Sequence, residues 1–479
     1  MTPTFFWYDL ETSGINPRES RIMQFAGQRT DMNLRLIGEP INVLIRLTED
    51  VLPDPDAVLL TGITPQQTLR EGITEAEFLK LFSHTIALPG TVFVGYNSIR
   101  FDDEFMRFLH YRNFYDPYTW QWQDSRSRWD LLNVVRMLRA LRPAGITWPV
   151  GKEGKATNRL ELLTAHNKLK HTAAHDALSD VQACIALARL IRRYQPKLFD
   201  YLLTMRDKKQ VLALVGSGQP FVYTSGGYPG DYLHTSVASI IGEGVDGQGL
   251  LAYDLRYDPT VYRDMSPSQL AERWRFNRET PPAQRLPVKL LRANHSPAVA
   301  PVNVLDNDSQ ARLRLDMSTL QKHRAALDTL GNAFLRQLHE AQRMLTSAQQ
   351  LSAFGDPTSV DGRLYEGFFD TNDQQLLAVV RAAAPEELGD LEVPFHDDRL
   401  QTLLPLYVAR NFPTQLSGGQ RESWETFRRA RLLGGGPTSR LARYGLRLQT
   451  LSERAHLNSQ QRYLIEELQL YGESIMPSD

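Results

Sequence analysis

Cysteine is almost missing from this chain, whose 479 residues include one, Cys184. That excludes an internal disulfide and any cysteine-rich zinc site, and it suits a reducing compartment. Net charge is missing too, with 54 Lys and Arg against 55 Asp and Glu. Without a global basic excess, a polyanionic partner would have to be held by a local patch or by metal ions. Long apolar runs are also absent, since nothing approaches the roughly 20 residues of a spanning helix. The start MTPTFFWYDL has neither a basic n-region nor an adequate apolar h-region. A soluble, cytoplasmic protein with no membrane partner is expected.

What is there is ordinary globular material, 42% hydrophobic and 23% charged, in a chain long enough for two or three domains. Over residues 1–194 the strand-like runs FFWYDL, RIMQFAGQRT, INVLIRL and TVFVGYN alternate with helical stretches, an α/β pattern. Periodicity predicts a helix over 176–193 with Val181, Cys184, Ile185, Ala188 and Ile191 on one face, ending before Gln195-Pro196. Over 195–350 the runs VLALV, PFVYTS, LLAYDLR and PVKLLRA, set between Gly-rich turns, read as a small β-rich domain of barrel type. Helical periodicity resumes from Ser309, and residues 351–479 read as nearly all helix. The loops GGYPGD and LLGGGPTSR lack the spacing of a phosphate-binding loop followed by Lys.

The chemistry begins in FFWYDLETSG, where Asp9 and Glu11 would point to the same face of a strand. Like charges so placed repel, and burying them unpaired costs several kcal/mol. Divalent cations remove that cost, and an oxygen-rich site suits Mg²⁺ or Mn²⁺. Alone, the pair is equally served by a strand end emerging into solvent. In GYNSIRFDDEF, Asp102, Asp103 and Glu104 follow an apolar run, where a helix start would also place acids. HTAAHDALSDV sets His175 at the entry of the long helix and Asp180 on its first or second turn. Were both helical, a separation of five would turn them about 140° apart. A shared site therefore requires His175 in the loop, which the small Ala173 and Ala174 permit.

Together, D-x-E, FD and H-x4-D resemble the DEDD-type 3′→5′ exonucleases, in the subclass with a histidine five residues before the last aspartate. Asp9 and Glu11 match the first motif, Asp102 the second, His175 and Asp180 the third. Asp103 is set aside because the motif's aspartate directly follows the aromatic. LLTGITP, FYDPYTWQWQDSRSRWDLL, RLELLTAHN, PVKLL, LYEGFFD and YVARNFP extend the likeness over essentially the whole chain, to the bacterial exonuclease I family. The resemblance implies an RNase H-like exonuclease domain with a mixed sheet, then an SH3-like β-barrel domain and an all-α C-terminal domain. It also implies degradation of single-stranded DNA to 5′-mononucleotides in DNA repair and recombination. Two Mg²⁺ ions (or Mn²⁺) would be held by Asp9, Glu11, Asp102 and Asp180, with His175 as general base.

A single strand is held by stacking on aromatic faces, about 1–3 kcal/mol per base, and by cations along the phosphates. Aromatics and arginines interleave from Arg100 to Arg142, although for any one aromatic core packing is the simpler account. The resemblance selects Arg107, Tyr118, Trp122, Arg136 and Arg159 as DNA contacts, with Glu11 and His175 at the terminal nucleotide. Tyr201, Arg206 and Lys208 are further matches. From Arg410 to Arg447, eight Arg against two Glu leave a local charge of +6. That run reads equally as a strand track, a partner site, or solvated helix faces paired with acids elsewhere. The resemblance also implies a monomer on which the acidic C-terminal tail of single-stranded-DNA-binding protein docks. The rivals are an RNA-trimming exonuclease with the same motif and a non-catalytic single-strand binder.

Overall fold

The computed structural model describes residues 2–151, 154–171, 175–275, 277, 279–352 and 359–477. β1 (Thr4–Thr12) lies in the middle of a five-stranded mixed sheet. It pairs antiparallel with β2 (Ile22–Thr30) and parallel with β4 (Thr91–Gly95). β3 (Leu36–Leu44) and β5 (Ser127–Asp130) form the edges, giving the order β3-β2-β1-β4-β5 of an RNase H-like sheet. Alternation along β1 sorts its side chains between two cores. Phe5 and Trp7 pack with Trp129 and the helix Ala177–Tyr194, and Phe6, Tyr8 and Leu10 pack with Phe25, Phe78 and Phe93. That helix follows the expected pattern closely. Asp176 caps it through Ser179 N–H at 2.8 Å, and Val181, Cys184, Ile185, Ala188 and Ile191 are all buried. Pro196 then opens the next helix, Pro196–Thr204.

Two expectations need correction, and one strand was missed. INVLIRL is only partly strand: β3 begins earlier, at Leu36, as an exposed edge, and Ile45 instead bridges to Ile73. β5 has no apolar run to announce it, because SRWD pairs through its backbone and buries only its last two residues. VLALV is helical, within Lys208–Val215. Asp207 caps that helix, and Val211 and Val215, four apart, are its buried side chains. A five-residue apolar run does not distinguish the two periods.

The second sheet is antiparallel, in the order β10-β6-β7-β8-β9. Its strands are β6 (Phe221–Thr224), β7 (Thr235–Glu243), β8 (Leu250–Asp254), β9 (Val288–Leu291) and β10 (Ala298–Pro301). A helix over Met317–Ser352, interrupted at Gly331, packs on it. From Thr371 to Ser474 every regular element is helical, and among the described residues no helix is long and apolar enough to cross a membrane.

Several arginines of the basic run 410–447 form an inter-unit latch. Arg410 donates to Asp361 at 2.8 Å and to Asp50 at 2.7 Å, and Arg21 donates to Asp361 at 2.9 Å. Arg431 sits 3.5 Å from Asp50, and both aspartates are fully buried. Arg440 and Arg447 reach Glu19 and Asp56 on the first unit, at 3.0 and 2.6 Å. Of the three readings left open, pairing with acids elsewhere accounts for these arginines, and at Arg410 and Arg431 the pairing is buried.

Candidate active site

Beyond Trp7 the same face of β1 leaves the core and carries Asp9 and Glu11, opposite Ala26 and Gln24 of β2. The helix Ala177–Tyr194 covers this face and brings Asp180 to them on its first turn. One oxygen from each of Asp9, Glu11 and Asp180 lies within 4.8 Å of the others. Asp102 arrives from the opposite side of β1. β4 ends at Gly95, where a Cβ would stand 2.5 Å from the Cβ of Ser98. Asn97 then turns the chain in the left-handed region (φ 68°), held by its N–H to Asp130 Oδ1 at 2.9 Å. The helix Asp102–Arg112 starts from that turn with the Asp102 carboxyl buried at its first position. Asp102 is outside the three-carboxylate group but close enough to raise the pKa of Asp9.

The electrostatics are those of anions without a counter-ion. Burial first, then the charges of Asp9, Asp180 and Asp176, push Glu11 up to about 9. Burial and the charges of Asp102 and Asp180 raise Asp9 well above the carboxylate range. Asp102 is raised by burial and by Asp103, and Asp180 by burial, partly offset by His171. The leading causes of both shifts are burial and other carboxylates, with no Lys or Arg of the described residues among them. A dense set of hard oxygen donors lacking an internal cation fits Mg²⁺ or Mn²⁺.

His175 lies outside the helix with φ at +65°, and its N–H donates to Asp180 Oδ2 at 3.1 Å. No described residue hydrogen-bonds to its ring; Ala173 and Ala174 are outside the described residues. Asp103, set aside above, is fully used in the fold, accepting from the Tyr8 hydroxyl and the Arg128 guanidinium.

Two crevices of about 480 Å³ meet at Asn97 and Arg136, between the first sheet and the second. One is lined by Asp9, Asp180, Arg159 and His234, the other by Arg100, Asp130, Arg292 and His295. Arg136 and Arg159 line the same crevice as Asp9 and Asp180. Trp122 is 63% exposed, whereas Phe105, Phe108, Tyr111, Trp120 and Trp129 are core residues. Arg107 is tied to Glu104 and Gln121. Tyr201, Arg206 and Lys208 line neither crevice; Arg206 instead donates to Ser127 Oγ at 3.2 Å.

Sequence reasoning missed Tyr365 and Phe368. They come from the third unit, yet Tyr365 bonds Glu104, and Phe368, 83% exposed, packs 5.5 Å from Tyr118. The pair of aromatics in LYEGFFD was the available signal. His171 was missed as well; it contacts Asp180, nine residues away.

Residues 6–188 match the Exonuclease family, 206–341 the Exonuclease I SH3-like domain and 358–475 the Exonuclease I C-terminal domain. The chain is 38% identical to exodeoxyribonuclease I of Escherichia coli over 431 residues, covering 89% of each sequence. The solved exonuclease I of Methylocaldum szegediense matches with a TM-score of 0.90 at 37% identity over 99% of both chains. A zinc-bound complex of the E. coli enzyme with single-stranded DNA gives 0.88 at 35% identity, over 99% of this chain and 100% of that one. A complex of exonuclease I with SSB and an inhibitor gives 0.85 at 35% identity, with the same coverage. Fold and site define an exonuclease with an RNase H-like domain followed by SH3-like and helical domains. The chain belongs to the exonuclease I family.

Proposed function

We propose that this chain removes 5′-mononucleotides from the 3′ end of single-stranded DNA by phosphodiester hydrolysis that depends on two divalent metal ions. The carrying observation is the convergence of Asp9, Glu11 and Asp180 within 4.8 Å with no internal cation, and Asp102 on the far side of Asp9. Asp9 would be common to both ions, Glu11 and Asp180 completing one position and Asp102 supporting the other. Bound Mg²⁺ or Mn²⁺ would stabilise the attacking and leaving oxygens of an in-line displacement.

His175 is the general base toward the attacking water, and the lack of a ring partner among the described residues leaves it free for that role. Arg136 and Arg159 face the crevice that contains Asp9 and Asp180, where cations would hold the terminal phosphates. Trp122, Tyr118, Phe368 and Tyr365 offer faces for bases further along the strand. Arg107 would have to exchange Glu104 for a phosphate. Tyr201, Arg206 and Lys208 remain candidates for a more distant contact.

The three units are assigned as 1–194, 195–350 and 351–479. The relatives' complexes support single-stranded DNA and single-stranded-DNA-binding protein as partners, the latter docking through its acidic C-terminal tail in this proposal. Action as a monomer on cytoplasmic DNA, in repair and recombination, completes the reading. The test is digestion of 3′-labelled DNA and RNA oligomers of one sequence with Mg²⁺ and with EDTA. Mg²⁺-dependent shortening of the DNA strand is expected, and undiminished hydrolysis by His175→Ala would overturn the assignment of the base.

A further inference from the structure

Two histidines flank Asp180, and the structure uses them differently. His175 gives it a backbone N–H and leaves its own ring free of described partners. The His171 ring is buried and engaged on both sides. Its Nε2 lies 2.8 Å from Asp180 Oδ1, and its Nδ1 lies 3.0 Å from Thr164 Oγ1. A carboxylate only accepts, so Nε2 carries the proton of that contact. Each oxygen of Asp180 is thus fixed by one donor, His171 Nε2 or His175 N–H, and each keeps a lone pair for a cation.

Thr164 is itself fully buried, and its hydroxyl lies 3.0 Å from the Leu160 and Glu161 carbonyls as well as from His171 Nδ1; with the ring proton on Nε2, the single hydroxyl proton is donated to Nδ1. Leu160 and Glu161 line the same crevice as Asp9 and Asp180. The chain Thr164–His171–Asp180 therefore ties a carboxylate of the acidic group to the wall of the substrate crevice.

We propose that His171 is a positioning residue: it fixes the rotamer of Asp180 for metal binding, with Thr164 bracing the ring from behind. Ligands held by an outer hydrogen bond lose affinity when that bond is removed, typically by about 10–100-fold. This rests on Asp180 being a metal ligand.

The test is Mn²⁺ titration of the full-length chain by calorimetry or by the spectrum of free Mn²⁺, alongside melting in EDTA. His171→Ala should weaken Mn²⁺ binding roughly 10–100-fold. His171→Gln, whose amide N–H can replace Nε2, should recover most of that loss. At saturating Mn²⁺ the KM for a single-stranded oligomer should stay native in both variants. Native Mn²⁺ affinity in a folded His171→Ala protein would overturn the inference while leaving the nuclease reading intact. Equal loss in the Ala and Gln variants, together with a lowered melting point in EDTA, would reduce His171 to a packing residue and also overturn it. Failure of the native chain to bind Mn²⁺ would overturn both readings.

Discussion

Two buried acidic clusters in this protein are built from the same residue types and have opposite electrostatics. Between the first unit and the helical unit, Asp50, Asp361 and Glu75 face Arg21, Arg112, Arg410 and Arg431. The guanidinium groups outweigh burial there and hold all three carboxyls below their ordinary range. At the end of β1, burial and neighbouring carboxylates instead raise Asp9, Glu11 and Asp102, with Asp176, Asp180 and Asp103 among the charges that act on them. A cluster carrying its own cations is finished at folding and acts as a latch. A cluster without them has been left for cations from solution. The missing cation, more than the count of acids, distinguishes a metal site from a structural network.

The strongest test breaks the open cluster. Asp9→Asn should lower turnover by more than the roughly 10²–10⁴ that a general base contributes. At alkaline pH, where burial no longer keeps these carboxyls protonated, the same substitution removes a repulsive charge, so the melting temperature in EDTA should rise. Native turnover, or a lower melting point in EDTA at that pH, would show that Asp9 is an ordinary structural carboxylate. The mirror experiment breaks the closed cluster. Asp361→Ala leaves Arg21, Arg410 and Arg431 short of a partner, which should cost roughly 3–5 kcal/mol in denaturant unfolding. Stability unchanged by Asp361→Ala would mean that the latch contributes packing alone.

This asymmetry also sets what can be read from the sequence. The D-x-E pair, the aspartate after Phe101 and the H-x4-D spacing are local patterns, so the carboxylates are legible in the sequence alone. The long helix is legible for the same reason, since Val181 to Ile191 repeat with its period. The arginines of 410–447 are visible as charge, but their partners Asp50 and Asp361 lie 360 and 49 residues from Arg410, a pairing that no window reveals. His171 is hidden similarly, as no periodicity or motif marks its contact with Asp180 nine residues on. β5 and the helix at VLALV escape because strand and helix are inferred from apolar runs, which one lacks and the other shares with strands.

The latch lies close in sequence to an aromatic proposed to stack a base: Asp361 precedes by seven residues Phe368, whose ring packs on Tyr118 of the first unit. Phe368→Ala should weaken single-stranded DNA binding by about 1–3 kcal/mol, the value of one stacked base, with turnover on saturating short oligomers unchanged. Fluorescence anisotropy with a labelled oligomer measures it. If Asp361→Ala reproduces that loss at a temperature where it is folded, the latch positions the aromatic platform. Native affinity in Asp361→Ala would separate the two roles.

A pH series separates the two clusters in one protein. Glu11 titrates near 9 when folded against about 4.5 in an unfolded chain, so between those values the native state binds more protons. Stability in EDTA should therefore fall as pH rises from 5 to 9, each kcal/mol moving the melting temperature by roughly 2–4 °C. The latch carboxyls are shifted the other way. Their contribution is complete above about pH 4–5, where the unfolded carboxyls have ionised, and is lost only on further acidification. They are therefore silent in the same window. Saturating Mg²⁺ should flatten the slope between pH 5 and 9, because a bound cation favours the ionised carboxylates that burial alone disfavours. Asp9→Asn in EDTA should flatten it partly, since one of the charges raising Glu11 is gone. A slope that survives both treatments would have to arise outside the Asp9–Glu11–Asp180 group, and the contrast between the two clusters would fail.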